Sequence, residues 1–190
     1  MAHFDHFDFL APLYDFFIKP VDPAKLRSLV GLPVAGNLLD VGGGTGRISF
    51  MLRDSVTRVV IVDSSIGMLT QARHKNSFIT ICSNSEELPF EDDSFERVIM
   101  VDALHHVYDY RVTAGELWRV VKPGGRIVIE EPNIHTIQVK VTAIVEKLAL
   151  MRSHFVSPLV ICNTFSYPNA KTHIEREGYT SWVVVDKKDG

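Results

Sequence analysis

The residues best suited to chemistry lie in one segment of the chain, 38–47, which reads Leu-Leu-Asp-Val-Gly-Gly-Gly-Thr-Gly-Arg. An apolar run passes there into a glycine-rich loop that carries Asp40 and the alternating glycines Gly42, Gly44 and Gly46. Glycine lets the backbone turn tightly and approach a ligand, and amides at the start of a following helix point toward that ligand. The segment therefore predicts a loop that binds a nucleotide cofactor.

The spacing of the glycines narrows the kind of cofactor. A dinucleotide fingerprint, G-x-G-x-x-G, requires its last glycine at position 47 or 49, where this chain has Arg47 and Ser49. A pyrophosphate ligand is therefore disfavoured. The acid at Asp40, at the end of the run, suits a cation better than a phosphate.

Polar residues also follow the later apolar runs. Asp63 ends the second run, Asn84 and Ser85 follow the third, and Asp102 follows the fourth. Ligands of parallel α/β sheets bind at the carboxyl ends of the strands, so these residues are expected to face one crevice. Asp63 stands 17 positions after Gly46, close to the spacing at which an acid reaches a ribose diol. The alternative role for Asp63 is a helix N-cap, but the preceding glycine loop favours ribose binding.

The elements that position these residues follow from hydrophobic periodicity. Nearly continuous apolar runs, typical of parallel strands covered on both faces, predict strands at 38–41, 58–62, 78–83, 97–101 and 126–130. Helices are expected at 46–53, 65–75 and 110–121, the last ended by the Lys-Pro-Gly-Gly turn at 122–125. The pattern predicts an α/β fold with a doubly wound, mainly parallel sheet.

Composition limits the classes of function. The chain has 190 residues, 46% of them hydrophobic, which is enough for the core of one domain. A formal net charge of −3 without a basic stripe argues against a nucleic-acid partner. Two distant cysteines, the absence of a basic leader and the absence of a long apolar run predict a cytoplasmic protein with no integral membrane segment.

Three ordered segments of this sequence resemble the class I S-adenosylmethionine-dependent methyltransferases, within the group of the ubiquinone and menaquinone biosynthesis enzymes. They are Leu-Asp-Val-Gly-Gly-Gly-Thr-Gly at 39–46, Ser-Glu-Glu-Leu-Pro-Phe-Glu-Asp-Asp-Ser-Phe at 85–95, and Leu-Trp-Arg-Val-Val-Lys-Pro-Gly-Gly at 117–125. The resemblance implies a Rossmann-like fold and one methyltransferase domain over 1–190. It would comprise an aromatic lid at 1–37, a cofactor core at 38–132, and substrate-side helices with a terminal strand at 133–190.

The resemblance also implies residue roles for the cofactor S-adenosylmethionine and its product S-adenosylhomocysteine. Gly42, Gly44 and Gly46 would pass under the methionine part, while Asp40 orders the loop and helps to receive the ammonium. Asp63 would take both ribose hydroxyls.

The same resemblance implies which residues contact the adenine and the ammonium of the cofactor. Ser64 and Met68 would border the adenine, and Val101 would offer its carbonyl to the ammonium. Asn84, beside Ser85, stands where the family commonly has an aspartate, and its amide oxygen can still accept a hydrogen bond from the adenine amino group. Weaker binding is expected there.

Three further groups of residues have competing interpretations. His105 and His106 could include a general base, but similar proteins often carry a histidine pair here without obligatory chemistry, which favours a structural or pocket-lining role. The acids at 86, 87 and 91–93 could hold a metal, but they flank a turn and no metal is expected. The aromatic arm at 3–17 could pack on the sheet or form a lid, and Tyr14 lies where similar proteins close over the cofactor.

The carboxyl end departs from the expected pattern. A helical region from 133 to about 151 and a short helix near 169–177 precede one clear run at 180–185. Either the last of the usual seven strands is missing, which leaves an unpaired edge, or the strand assignment is shifted upstream. An unpaired edge of this kind could be covered in a homodimer.

Apolar residues in the flanks favour a small, apolar or aromatic methyl acceptor. Two alternatives remain open: a non-catalytic S-adenosylmethionine-binding protein and, less favoured, a nicotinamide-dependent oxidoreductase.

Overall fold

The structure, a computed structural model, describes residues 22–75, 78–132, 155–178 and 180–189. Within these ranges the helices are α1 (Pro23–Val30), α2 (Arg47–Leu52), α3 (Ile66–His74), α4 (Tyr110–Val120) and α5 (Pro158–Thr164). Single 3-10 turns occupy Arg53–Ser55 and Leu104–His106. The strands are β1 (Asn37–Val41), β2 (Arg58–Asp63), β3 (Ile79–Cys82), β4 (Phe95–Val101), β5 (Val121–Pro132), β6 (Ala170–Glu177) and β7 (Thr180–Lys187).

The seven strands form one sheet in the order β3-β2-β1-β4-β5-β7-β6. Strands β1 to β5 pair in parallel, whereas β7 is antiparallel to both β5 and β6. The chain winds outward in opposite directions from β1 and β4, so the topological switch point lies between the carboxyl ends of these two strands. The predicted doubly wound, mainly parallel sheet is confirmed.

Both faces of the central strands are buried, which explains their continuous apolar runs. Helices α4 and α5 cover one face, where Leu117 and Ile161 pack on Leu39 and Ile129. The opposite face packs against α1, α2 and α3. The strand residues on this second face therefore lie under α1, which precedes the glycine loop, and under α2 and α3, which follow it.

The expectation of a missing strand is wrong. Strand β6 occupies the region in which a short helix was predicted, and it pairs with β7 from Ala170 opposite Lys187 to Glu177 opposite Thr180. Side chains along β6 alternate between half-buried and exposed positions up to Ile174, and Gly178 turns the chain with a φ of +56°. The edge of the described sheet at this end is therefore β6 and not the run at 180–185, and the homodimer prediction stays untested.

The Lys-Pro-Gly-Gly segment also differs from its prediction, because it lies inside β5 and does not separate a helix from a strand. Phe95 pairs with Val121, yet the next register pair is Arg97 with Arg126, so β5 bulges over this segment. Gly124 has a φ of +73°, which accounts for the turn residues in the middle of a strand.

Two predicted regions lie outside the described residues: the aromatic arm at 3–17, with Tyr14, and the helix at 133–151. No helix in the described part of the chain combines the length and the apolar character needed to cross a membrane.

Candidate active site

The glycine loop begins where β1 ends. The amides of Gly42 and Gly43 both donate to the carbonyl of Val62 on β2, at 2.7 and 3.2 Å. Gly42 and Gly46 have φ values of +68° and +72°, in the left-handed region that favours glycine. A Cβ at Gly42 would lie 2.6 Å from the Cβ of Ala103, which follows β4. Glycine is therefore required here both by the backbone conformation and by close packing.

Asp63 joins this loop to the next helix. Its Oδ2 accepts a hydrogen bond from the amide of Gly44, and its Oδ1 accepts one from the amide of Ser65, both at 2.8 Å. The N-cap of α3 is Ser65, whose Oγ accepts from the amide of Met68 at 3.1 Å. The alternative role of Asp63 as the N-cap is therefore wrong, and its carboxylate lies against the glycine loop.

Asp40 supports the loop from below. Its side chain is 1% exposed, and its Oδ2 accepts a hydrogen bond from Ser49 Oγ on α2 at 2.7 Å. Burial raises the pKa of Asp40 to about 6, because the carboxylate loses water and the hydrogen bond from Ser49, which lowers the pKa, offsets this loss only in part. Asp40 thus links β1 to α2 across the glycine loop.

The residues expected around an adenine lie at different depths. Met68 is 2% exposed, and its Sδ lies 3.9 Å from a Cβ built on Gly44, as does Asp63 Oδ2. Ser64 and Asn84 are exposed at the carboxyl ends of β2 and β3. The structure therefore brings Asp63, Gly44 and Met68 together and leaves the two polar residues at the outer rim.

Ser85 continues from Asn84 and is half-buried. Its hydroxyl lies 3.1 Å from Thr113 Oγ1 on α4 and 3.2 Å from Glu86 Oε2. Val101 ends β4 and is buried, and its register partner on β5 is Glu130. These contacts connect the rim of the crevice to the helix after β4.

His105 lies in the 3-10 turn after β4 and is 2% exposed. Its Nδ1 lies 2.8 Å from Glu131 Oε2, while Glu131 Oε1 accepts from the amide of Leu104 at 2.8 Å. Phe155 stacks on the His105 ring at a centroid distance of 4.7 Å, and the His106 ring is 4.0 Å away. A carboxylate that orients an imidazole in this way is one requirement of a general base.

Glu130 and Glu131 are neighbours on β5 that the sequence reasoning missed as site residues. Glu130 is 8% exposed, and burial, together with the carboxylates of Asp102 and Glu131, raises its pKa to about 8. Asp102 lies beside it with a φ of +54°, and its amide donates to the Glu130 carbonyl at 3.0 Å. The available signal was their position at the end of the fifth apolar run and directly after it, the same rule that identified Asp63.

The acids of the 85–95 segment make specific contacts within the fold. Asp92 pairs with Arg119 on α4, and Asp93 pairs with Lys187 on β7. Arg119 also donates to the carbonyls of Leu88 and Phe90, at 3.0 and 2.7 Å. In the described ranges, no group of three or more histidine, cysteine or acidic side chains is arranged to hold a metal ion.

Comparisons with known proteins agree with this architecture. Residues 39–129 match the model of the family described as "Methyltransferase domain". A demethylmenaquinone methyltransferase from Clavibacter sepedonicus is 42% identical over 104 residues, which cover 52% of this chain and 42% of that protein. One from Corynebacterium urealyticum is 33% identical over 144 residues, covering 75% and 61%. The chain thus spans about half the length of the curated relatives it matches.

Solved structures show the same fold at low identity. A SAM-dependent methyltransferase from Thermotoga maritima aligns with a TM-score of 0.72 and 19% identity, covering 86% of this chain and 87% of that one. The DhpI–SAH complex aligns with a TM-score of 0.75 and 18% identity, covering 96% and 94%.

The switch-point crevice and the seven-stranded sheet define the class I S-adenosylmethionine-dependent methyltransferase fold. Residues 39–129 match the model of the methyltransferase domain family, and the relatives described above are demethylmenaquinone methyltransferases.

Proposed function

We propose that this chain is an S-adenosylmethionine-dependent methyltransferase that acts on a small apolar or aromatic acceptor. The observation that carries the proposal is the position of Asp63, whose carboxylate contacts the Gly44 amide at the carboxyl end of the sheet. An acid that contacts a glycine loop without dinucleotide spacing suits a nucleoside that carries positive charge. The methyltransferase domain match over 39–129 contains both residues.

The described residues fit this cofactor. A Cβ built on Gly44 would lie 3.9 Å from both Asp63 Oδ2 and Met68 Sδ, so the backbone of the glycine loop borders the acid and the thioether directly. When bound, S-adenosylmethionine supplies an electrophilic methyl group on its sulfonium. We assign the ribose to Asp63, and the methionine part to the loop above Asp40 with its glycines Gly42, Gly44 and Gly46.

The remaining cofactor contacts are assigned at the rim. Ser64 and Met68 border the adenine, Asn84 and Ser85 contact its polar edge, and the Val101 carbonyl accepts from the ammonium. Residues 38–132 thus hold the cofactor, while 1–37 and 133–190 contribute the acceptor side. Tyr14 belongs to the first of these flanking regions.

The protein's part in the reaction is to align the acceptor and to hold the proton that methylation of an O–H or C–H group releases. We assign this proton to His105, because Glu131 fixes its Nδ1 and His106 lies beside it. The relatives are named demethylmenaquinone methyltransferases, so a naphthoquinone-type ring is the first acceptor to test.

Calorimetry with S-adenosylmethionine, S-adenosylhomocysteine and NAD tests the cofactor. We expect both sulfur nucleosides to bind and NAD not to bind, and binding of NAD alone would contradict the proposal. Turnover is then measured with a naphthoquinone-type acceptor, oxidised and reduced, against a highly charged acceptor of similar size. Methylation of the charged acceptor alone contradicts an apolar acceptor, and binding without any turnover indicates a non-catalytic binding protein.

A further inference from the structure

Glu86 is a half-buried acid in the turn that follows β3, and it accepts hydrogen bonds from a distant loop. Its Oε1 accepts from the amide of Tyr108 at 2.7 Å and from the amide of Asp109 at 3.1 Å, 22 and 23 residues away. Its Oε2 accepts from Ser85 Oγ at 3.2 Å. One carboxylate therefore joins the turn after β3 to the segment that precedes α4.

A second contact runs parallel to the first. The Ser85 hydroxyl carries a single hydrogen, which it donates to Glu86, so it accepts from the fully buried Thr113 hydroxyl at 3.1 Å. Asp109 also caps α4, because its Oδ1 accepts from the amide of Arg111 at 2.8 Å. Glu86 and Ser85 thus hold both the start of α4 and its first turn.

The other acids of the 85–95 segment do not share this role in the described contacts. Asp92 and Asp93 pair with Arg119 and Lys187, toward the far end of α4 and β7. Glu87 is exposed, and its hydrogen bonds within the described ranges are made by its backbone, at 3.3 Å to Asn84 and 2.9 Å to Ser83. Glu86 is therefore the acid of this block that contacts the loop after Leu104–His106.

We propose that Glu86 is a positioning residue. When a nucleoside binds on its side of the crevice, Glu86 transmits the effect of binding to the loop that carries His105 and His106. This inference rests on the proposed function, which assigns the nucleoside to Asn84 and Ser85, directly before Glu86. An ionised carboxylate only accepts hydrogen bonds, so a shift of this turn must move or release the amides of Tyr108 and Asp109. Those amides lie just outside α4, where no helical carbonyl replaces the lost acceptor.

Amide hydrogen exchange of the ligand-free protein tests the contact itself. Glu86→Ala is expected to accelerate exchange at Tyr108 and Asp109 by about tenfold, the equivalent of one typical hydrogen bond. Glu86→Gln retains an oxygen acceptor and is expected to restore most of the protection. Glu87→Ala, which removes the neighbouring exposed acid, serves as the matched control and should leave both amides unchanged. Equal exchange in Glu86→Ala and the wild type would overturn the proposal.

The same measurement with saturating S-adenosylhomocysteine tests transmission. The ligand is expected to slow exchange at Tyr108 and Asp109 in the wild type and in Glu86→Gln but not in Glu86→Ala, although it still binds to that variant. For turnover, Glu86→Ala should lower kcat more than it changes the KM for S-adenosylmethionine.

The outcomes of the ligand experiment separate the two proposals. Binding of S-adenosylhomocysteine without an effect on the two amides in the wild type, or with the same effect in Glu86→Ala, overturns transmission and leaves the methyltransferase proposal standing. A wild-type protein that binds no sulfur nucleoside overturns the proposed function and transmission together. The ligand-free exchange still decides whether Glu86 holds the loop.

Discussion

On each side of the crevice one acid fixes a loop, Asp63 on the β2 side and Glu131 on the β5 side. A third acid, Glu130, differs from both. Asp63 accepts from the Gly44 amide in the glycine loop after β1 and from the Ser65 amide at the start of α3. Glu131 holds the turn after β4 through one amide and the His105 ring. Glu130, next to Glu131 on β5, lies near the carboxylate of Asp102, and its pKa rises to about 8.

The difference shows that burial alone does not assign a role to an acid at this edge. Asp63 and Glu131 each accept hydrogen bonds on both carboxylate oxygens, and these contacts fix the backbone on either side of the crevice. Glu130 is buried beside like charges, so the charged form is disfavoured and the side chain holds a proton near neutral pH.

The largest expected effect comes from breaking the contact on the β5 side. Glu131→Ala leaves the amide of Leu104 and the imidazole of His105 without their buried acceptor, and we expect the free energy of unfolding to fall by about 3–5 kcal/mol. Urea denaturation measures the change. Glu87→Ala, at an exposed position, is the control and should change stability by less than about 0.5 kcal/mol. A loss below about 1 kcal/mol in Glu131→Ala would contradict the structural role of the pair.

Removal of Asp63, the acid at the end of β2, should weaken the binding of the ligand. Asp63→Ala removes the acid assigned to the ribose and the acceptor of the Gly44 amide, and we expect binding of S-adenosylhomocysteine to weaken by about 1–3 kcal/mol. Calorimetry measures this change, with Asp54→Ala as the control because Asp54 is an exposed acid beyond α2. Unchanged affinity in Asp63→Ala would mean that the ribose is assigned to the wrong residue.

The raised pKa of Glu130 should make the stability of the protein depend on pH. Its pKa is raised from 4.5 to about 8 on folding, so the folded state holds a proton that the unfolded chain releases between these values. The contribution of Glu130 to stability is present below about pH 4.5 and is lost as pH rises through about 8. Over this window it lowers the free energy of unfolding by up to about 1.4 kcal/mol per pH unit.

Glu130→Gln removes this titration and should flatten the decline of stability between about pH 5 and 8. Thermal unfolding across that range measures it. Glu175→Gln on β6 is a suitable control, since the Glu175 side chain is 46% exposed. A wild-type slope that Glu130→Gln does not change would show that Glu130 is ionised throughout.

The smallest effect is expected at Asp40. Its titration changes the free energy of unfolding in the same direction as that of Glu130, but over a narrower pH range. Its pKa rises from 3.8 to about 6, so its contribution to stability is present below about pH 3.8 and is lost as pH rises through about 6. Asp40→Asn should flatten the profile over that window and leave the slope above pH 7 unchanged. A change confined to higher pH would assign the titration to another group.

The parallel half of the fold could be predicted because each strand is buried on both faces and therefore reads as a continuous apolar run. β6 could not be predicted in this way. Its residues alternate between half-buried and exposed positions, and the exposed ones are charged or histidine, so its pairing depends on β7 and not on its own composition. For this reason β6 was missed.

The candidate site likewise contains residues that local sequence indicates and contacts that it does not. Asp63 follows a glycine loop at a fixed spacing, so local sequence indicates it. The partner of Glu131 is His105, 26 residues away, and the two meet only because β4 and β5 are neighbours in the sheet. The order of residues along the chain does not show that β4 and β5 are neighbours in the sheet.

Strand β6 has a further consequence for the behaviour of concentrated protein. It lies at one end of the described sheet, and Lys171, Glu175, Arg176 and Glu177 along it are exposed. A second molecule that added a strand to this edge would have to strip water from these charges, which disfavours growth of the sheet from copy to copy. Charge along the last strand in the sheet thus protects the molecule against templated aggregation.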